Sequence, residues 1–288
     1  MQSSVLFWRR GAPGLAAPLD VAFFRDWAGF VPSPDERGDW VAGDAGGGED
    51  PVIRVCGDCS SAFDVADWLE KEGLLQDWDS VLALSQRAGV GQYGRTWISP
   101  PGNLHAVWKL PGSLLQRGSL LPLMVGAALA LALEAKGIRV AVKWPNDLVL
   151  EDGKLGGVLI RSGPDRILAG IGMNLVAAPL SHELRENCLI QATCLNQRQS
   201  CDIFFLFWKD IVQHAGSFLA KMLEKIPDYD VVPALTQRLW RKDRPVRVYP
   251  SEGAAFSAVL LGLAGDGALR LLSGKEEVLL YSGSIGSA

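Results

Sequence analysis

The stretch from Lys143 to Ile160, K-W-P-N-D-L-V-L-E-D-G-K-L-G-G-V-L-I, sets two cations, an amide and a carboxylate between short apolar runs. Val140 to Val142 and Leu148 to Leu150 read as buried strands interrupted by Pro145, and Asp152-Gly153 reads as a type I′ hairpin turn. Lys154 then follows a tight turn. Gly156 and Gly157 lie inside the next strand pattern, where paired glycines signal that something, such as a ligand, approaches the backbone closely. Taken alone, the segment also fits a surface hairpin with a solvated Lys154.

Working outward, Val81 to Ser85 is a short strand that leads into Q-R-A-G-V-G-Q-Y-G-R-T-W-I-S-P-P-G-N-L. Gly89, Gly91 and Gly94 describe a loop with exposed backbone N–H groups, followed by Arg95 and Trp97, and such a loop can wrap an anion. It is not a dinucleotide fingerprint, because Pro100, Pro101 and Gly102 forbid a helix after the third glycine. Asn103 to Leu110 is a strand in which His105 reads as a packed core histidine. Leu120 to Lys136 is a core helix ending at Gly137. Ile167 to Leu175 is a strand with Asn174 near its end.

Upstream, Pro51 to Val55 suits a strand and Asp64 to Leu74 a helix, with S-S-A-F-D between them as a serine-rich helix start. In residues 1–50, Val5 to Trp8 reads as a strand and Val21 to Phe30 as a short helix, before a glycine-rich link. Downstream, Ile203 to Glu224 and Val231 to Arg241 read as helices. From Arg244 the pattern changes to short strands separated by glycine turns, with a hairpin turn at Gly265-Asp266-Gly267.

The chain has 288 residues, 48% hydrophobic and 21% charged, enough for one large domain or two smaller ones. Its net charge of −4 argues against a nucleic-acid-binding surface. The longest apolar run, Leu120 to Leu133, is shorter than the roughly 18 residues a membrane span needs. No secretory signal is evident and five cysteines suit a reducing compartment, so the expected location is cytoplasmic. Cys56 and Cys59 read as thiols on or beside a buried strand, and His182, Cys188, Cys194 and Cys201 are too scattered to propose a metal site.

K-W-P-N-D followed by K-L-G-G resembles the signature of the biotin protein ligase family, and the loop resembles that family's Q-x-A-G-R-G-R-R-G-R-x-W-x-S-P-x-G-N-L. S-S-A-F-D resembles its S-T-N-D or S-S-T-M-D segment, G-I-G-M-N its G-I-G-I-N, and the C-terminal strands its closing barrel. The resemblance implies an α+β fold: a mixed β-sheet flanked by helices, biotin/lipoate ligase-like and related to the class II aminoacyl-tRNA synthetase core, with a small C-terminal SH3-like β-barrel. The implied division is 1–50 as extension and linker, 51–236 as catalytic domain and 237–288 as barrel. With no helix-turn-helix pattern near the start, the enzyme-only type without a DNA-binding domain is expected.

The resemblance also implies an ATP-dependent, Mg²⁺-assisted ligase that forms biotinyl-5′-adenylate and biotinylates a lysine of a biotin carboxyl carrier protein. Carried over residue by residue, Lys154 and Arg95 would hold the anions and Asp147 would orient the carrier amine or help receive its proton. Ser61, Ala62, Phe63, Gln86, Gly89, Val90, Gly91, Gln92, Trp97, Lys154 and Gly157 would surround biotin. Arg95, Lys143, Asn146, Lys154 and Asn174 would meet the nucleotide. No resident metal site, nucleic acid or membrane partner is expected, and a homodimer is left open. One departure matters: three loop arginines of the family are Val90, Gln92 and Tyr93 here. Their loss removes charge-assisted contacts of about 1.5 to 3 kcal/mol each, which implies weaker ATP binding or leakage of the adenylate. The alternatives are a lipoate or other acyl ligase of the same fold, and a biotin- or nucleotide-binding protein without turnover.

Overall fold

The computed structural model of the chain describes residues 4–8, 33–34, 40–42, 51–179, 190–195, 201–224 and 230–288. The elements are β1 (Ser4–Trp8), β2 (Ser33–Pro34), β3 (Trp40–Ala42), β4 (Val52–Cys59), α1 (Ala62–Lys71), β5 (Ser80–Gln86), β6 (Leu104–Leu110), α2 (Leu121–Glu134), β7 (Val140–Lys143) and β8 (Asp147–Leu150). They continue with β9 (Gly153–Ser162), β10 (Ile167–Met173), α3 (Cys201–Glu224), α4 (Val232–Gln237), β11 (Pro245–Pro250), β12 (Phe256–Leu263), β13 (Leu269–Ser273), β14 (Glu276–Leu280) and β15 (Gly283–Ser287). A ten-stranded sheet runs β2-β3-β1-β4-β5-β6-β10-β9-β8-β7, and a five-stranded one runs β14-β13-β12-β11-β15. The large sheet is mixed, since β4 pairs parallel with β1 and β5 while its other pairs are antiparallel.

The alternation in β10, I-L-A-G-I-G-M, sorts the sheet into two faces. Ile167, Ala169, Ile171 and Met173 join the main core with Met124 and Leu129 of α2 and Trp208 of α3. Leu168 faces the opposite side and joins a smaller cluster with Phe63 and Leu69 of α1. Helix α2 is apolar all round because it is buried all round: only Pro122, Leu131 and Glu134 escape full burial. Together with the 3₁₀ turn before it, it spans 23 residues, long and apolar enough to cross a bilayer by composition. Gly118 breaks that span at φ 49°, ψ −124°, and the helix serves the core. It ends at Gly137, with φ 80°, where Ile138 N–H donates to Leu133 O at 3.0 Å.

One apolar core runs through both sheets, because Val246, Val248, Leu260 and Ile285 pack in the same cluster as α2. Polar contacts also cross between them: Trp144 Nε1 donates to Gly267 O at 3.0 Å, and Ser119 Oγ donates to Asp266 O. The turn 265–267 joins β12 to β13 as expected, with Gly267 at φ 87°.

Four details differ from the sequence reading. In the β8–β9 turn the positive φ falls on Glu151, at 55°, and not on Asp152 or Gly153, so the turn is not type I′. Helix α4 stops at Gln237 because the backbone just after it is taken by β7: Val142 N–H donates to Arg238 O at 2.8 Å and Trp240 N–H to Val142 O at 2.9 Å. Strand β4 extends through Cys59, so Cys56 and Cys59 are buried, free thiols within it. Within 1–50, β1 is the expected strand but pairs with Val52–Val55, making it part of the sheet; the expected helix Val21–Phe30 lies outside the described residues.

Gly156 and His105 generate two predictions. A Cβ on Gly156 would overlap the carbonyl oxygen of Gly172 on the neighbouring strand, which backbone pairing holds in place. Gly156→Ala is therefore expected to destabilise the fold by about 1–3 kcal/mol in chemical denaturation. His105 is 2% exposed, and burial depresses its pKa from 6.5 to about 4, partly offset by the bond to Pro100. The unfolded chain then binds the extra proton between pH 6.5 and 4, so this stability is complete above 6.5 and lost as pH falls towards 4, up to about 3 kcal/mol. Denaturation of the wild type and His105→Phe at pH 7.5 and 4.5 should show the wild type alone losing this increment.

Candidate active site

A single row of residues crosses five antiparallel pairings of the large sheet. Ala83 on β5 pairs with His105 on β6, His105 with Gly172 on β10, Gly172 with Gly157 on β9, Gly157 with Asp147 on β8, and Asp147 with Lys143 on β7. Directly paired residues point to the same face, so His105 stands at one end of the row and the Asp147–Lys143 pair at the other. The two glycines between them form a trough. At about 4.8 Å per strand, three steps separate His105 from Asp147 by roughly 14 Å.

At the charged end, Asp147 Oδ1 lies 2.6 Å from Lys154 Nζ and Oδ2 lies 3.2 Å from Lys143 Nζ. Burial alone would raise the Asp147 pKa, but the Lys154 and Lys143 ammoniums outweigh it and hold the carboxyl below its ordinary range. Lys143 is itself buried and donates to Ser284 Oγ at 3.1 Å, so a residue of β15 reaches into the site. Lys154 and Gly157 are three apart and would face opposite sides of a regular strand. The register shift opposite Leu148/Val149 is a bulge that returns Lys154 to the face of Gly157. The Lys154 backbone is pinned as well, its N–H donating to Gln191 O at 2.7 Å and its carbonyl accepting from Thr193 N–H at 2.9 Å. The paired glycines thus have two separate causes: Gly156 faces a neighbouring backbone and Gly157 faces Asp147.

A cavity of about 770 Å³ lies over this row. It brings together Phe63, Gln86, Val90, Gly91, Gln92, Arg95, Trp97, Lys143, Asn146, Asp147, Lys154, Gly157 and Asn174 of the expected residues, and leaves Ser61, Ala62 and Gly89 just outside its lining. Those three are occupied locally. Ser61 caps α1, accepting from Phe63 N–H at 3.3 Å, Ala62 N–H donates to Gln86 Oε1 at 2.7 Å, and Gly89 O accepts from Trp97 N–H at 2.8 Å. Gln86 also donates to Ser99 Oγ at 2.9 Å, so both ends of its amide are engaged.

The glycine-rich loop forms a small hairpin closed by a Val90–Thr96 bridge, and Arg95 stands exposed beside the Tyr93 ring. Trp97 lies on Gly172, and Phe63 lies on Gly170 under the Arg161 guanidinium, 3.9 Å from its ring centre. Asn146 Nδ2 donates to Val158 O at 2.7 Å and Asn174 Nδ2 to Thr193 O at 3.1 Å. Arg95, Lys143 and Lys154 against Asp147 leave the cavity with a cationic excess suited to anions.

Sequence reasoning missed four contributors. Ser284 supports Lys143, and Ile190 and Ala192 form a wall. Asn103 Oδ1 accepts from the N–H groups of Leu175, Val176 and Ala177, fixing the chain beside Asn174. Asn103 lay within the quoted loop motif, and Ser284 lies in the C-terminal S-G-S-I-G, where the sequence gives it no partner.

The profile of the Biotin/lipoate A/B protein ligase family matches residues 67–176. A biotin–[acetyl-CoA-carboxylase] ligase of Paracoccus denitrificans is 40% identical over 114 residues, 34% of this chain and 45% of that protein. The bifunctional ligase/repressor BirA of Salmonella typhimurium is 30% identical over 221 residues, 70% of this chain and 64% of that protein. The chain thus spans less than two thirds of the length of either relative. The fold matches the biotin protein ligase from Aquifex aeolicus in complex with biotin and ATP with a TM-score of 0.64 and 22% identity, covering 81% of this chain and 97% of that one. Residues 67–176 thus match the biotin/lipoate A/B protein ligase family, and the fold around them is that of a biotin protein ligase, in agreement with the motifs quoted above.

Proposed function

We propose that the chain is an ATP-dependent biotin–protein ligase. A biotin carboxylate oxygen attacks the α-phosphorus of ATP and displaces pyrophosphate, giving biotinyl-5′-adenylate. A carrier lysine amine then attacks the acyl carbon, displaces AMP and loses a proton. The observation that carries this reading is the glycine trough ending at Asp147 between Lys143 and Lys154, in one cavity with Arg95. Two anions must meet for adenylation, and cations fixed beside the meeting point lower that repulsion most in the charge-rich transition state.

Lys154 is assigned to the carboxylate and α-phosphate, Lys143 and Arg95 to the nucleotide, and Asn146 and Asn174 to its surroundings. Trp97 and the glycine-rich loop would cover the adenylate against water, with Val90, Gln92 and Tyr93 holding it less firmly than arginines would. Asp147, kept ionised by its two lysines, suits orienting the incoming amine better than taking its proton. Magnesium would arrive on the triphosphate and screen its charge. Among the described residues Asp147 is the one carboxylate lining the cavity, with both oxygens on lysines, and no acidic, histidine or cysteine cluster there could cage a metal.

We assign catalysis to residues 51–236 and closure of the site to 237–288. The carrier would be the biotin carboxyl carrier protein of a carboxylase, and the free thiols Cys56, Cys59 and Cys194 favour a cytoplasmic, reducing location. Among the described residues no cysteine lines the cavity, which speaks against an acyl transferase with a cysteine nucleophile.

The test is mass spectrometry of a purified carrier domain incubated with the protein, ATP and either biotin or lipoate. A biotin-sized mass gain on one lysine is expected, and a lipoate adduct instead would replace this reading with the other acyl ligase. Asp147→Asn should slow transfer to the carrier more than pyrophosphate release, in single-turnover measurements of each step. Equal losses in both would remove Asp147 from the amine's path.

A further inference from the structure

We propose that His105 is a specificity-determining residue that accepts, at Nδ1, a hydrogen bond from an N–H of the ligand's cyclic urea head group. This rests on the biotin reading above and deepens it.

His105 lines the cavity at the end of the row opposite the lysines. An elongated acid whose carboxylate meets Lys154 would therefore extend its head group along the glycine trough towards His105. His105 Nε2 lies 3.0 Å from Pro100 O. A carbonyl oxygen only accepts, so the ring proton is assigned to Nε2. The depressed pKa leaves the ring neutral near pH 7, and Nδ1 is then a bare acceptor. It is buried and has no hydrogen-bond partner, in a residue that is 2% exposed. A histidine serving only as core would be expected to satisfy both nitrogens, because an unmet buried acceptor is costly.

A second unmet group lies close by. Trp97 Nε1 is also buried without a partner, and it lies 2.6 Å from where a Cβ on Gly172, the residue paired with His105, would stand. An unmet donor and an unmet acceptor thus sit over adjacent strands. A urea offers an N–H beside a carbonyl oxygen and can answer both, whereas a dithiolane ring can answer neither. Gln86, the other amide near the head-group end, is already held at both ends by Ala62 N–H and Ser99 Oγ.

The test uses the full chain labelled with ¹⁵N-histidine and titrated with biotin, with biotin methylated on either ureido nitrogen, and with lipoate. Biotin is expected to shift the Nδ1 resonance in the direction of an accepted hydrogen bond, while lipoate leaves it in place. Methylation of one of the two nitrogens should weaken calorimetric binding about tenfold, and His105→Phe should weaken biotin about fivefold while leaving lipoate within about twofold. Should His105→Phe not fold, the resonance and the methylated ligands decide on the wild type. An unmoved Nδ1 resonance at saturating biotin overturns the proposal. If the carrier is still biotinylated in that case, the ligase reading survives and only the role of His105 falls; if biotin neither binds nor labels the carrier, both fall.

Discussion

The buried ammonium of Lys143 and the half-buried one of Lys154 can stand close together in this protein because a carboxylate stands between them. Removing Asp147 would leave the buried Lys143 without its carboxylate and facing Lys154, and an uncompensated buried charge costs about 3–5 kcal/mol. Much of the nearby architecture follows from that constraint. The β9 bulge returns Lys154 to the carboxylate's face, the 190–195 segment pins its backbone, and Ser284 gives Lys143 a second partner. An incoming anion would enter this arrangement by exchange, taking over from Asp147 part of the charge the lysines already neutralise.

The glycines of β9 and β10 are poor strand formers, so their place in the middle of a ten-stranded sheet calls for a reason. Gly157, Gly170 and Gly172 supply it together by leaving the sheet surface bare where aromatic rings and the cavity lie. The opposite face of the same strands carries Ile171, Met173 and Val158 in the main core. Strand alternation therefore divides one segment between two tasks, holding the fold on one side and leaving a trough on the other.

What was legible in the sequence follows the range over which each feature acts. Alternation located β5 to β10, and the punctuation by Gly137 and by residues 265–267 located the end of α2 and the β12 turn, because those signals act over a few residues. The lysines, Asp147, Arg95 and Trp97 were found through motifs, and they line one cavity. The cross-strand row was not legible, since register depends on pairing partners far apart in the chain. Ser284 lies 141 residues from Lys143, and no local pattern ties a C-terminal serine to an early-middle lysine. The bulge escaped for a related reason: it appears only when β9 is set against β8. The length of α4 was overread because the competing claim on residues 238–240 came from the edge of β7.

The hydrogen bond from Lys143 to Ser284 also makes the site sensitive to the integrity of the polypeptide. A chain cut or terminated before Gly283 would lose β15, expose the free edge of β11 and leave the lysine without its hydroxyl partner. One missing strand would thus remove a sheet pairing and a prop of the charged site together.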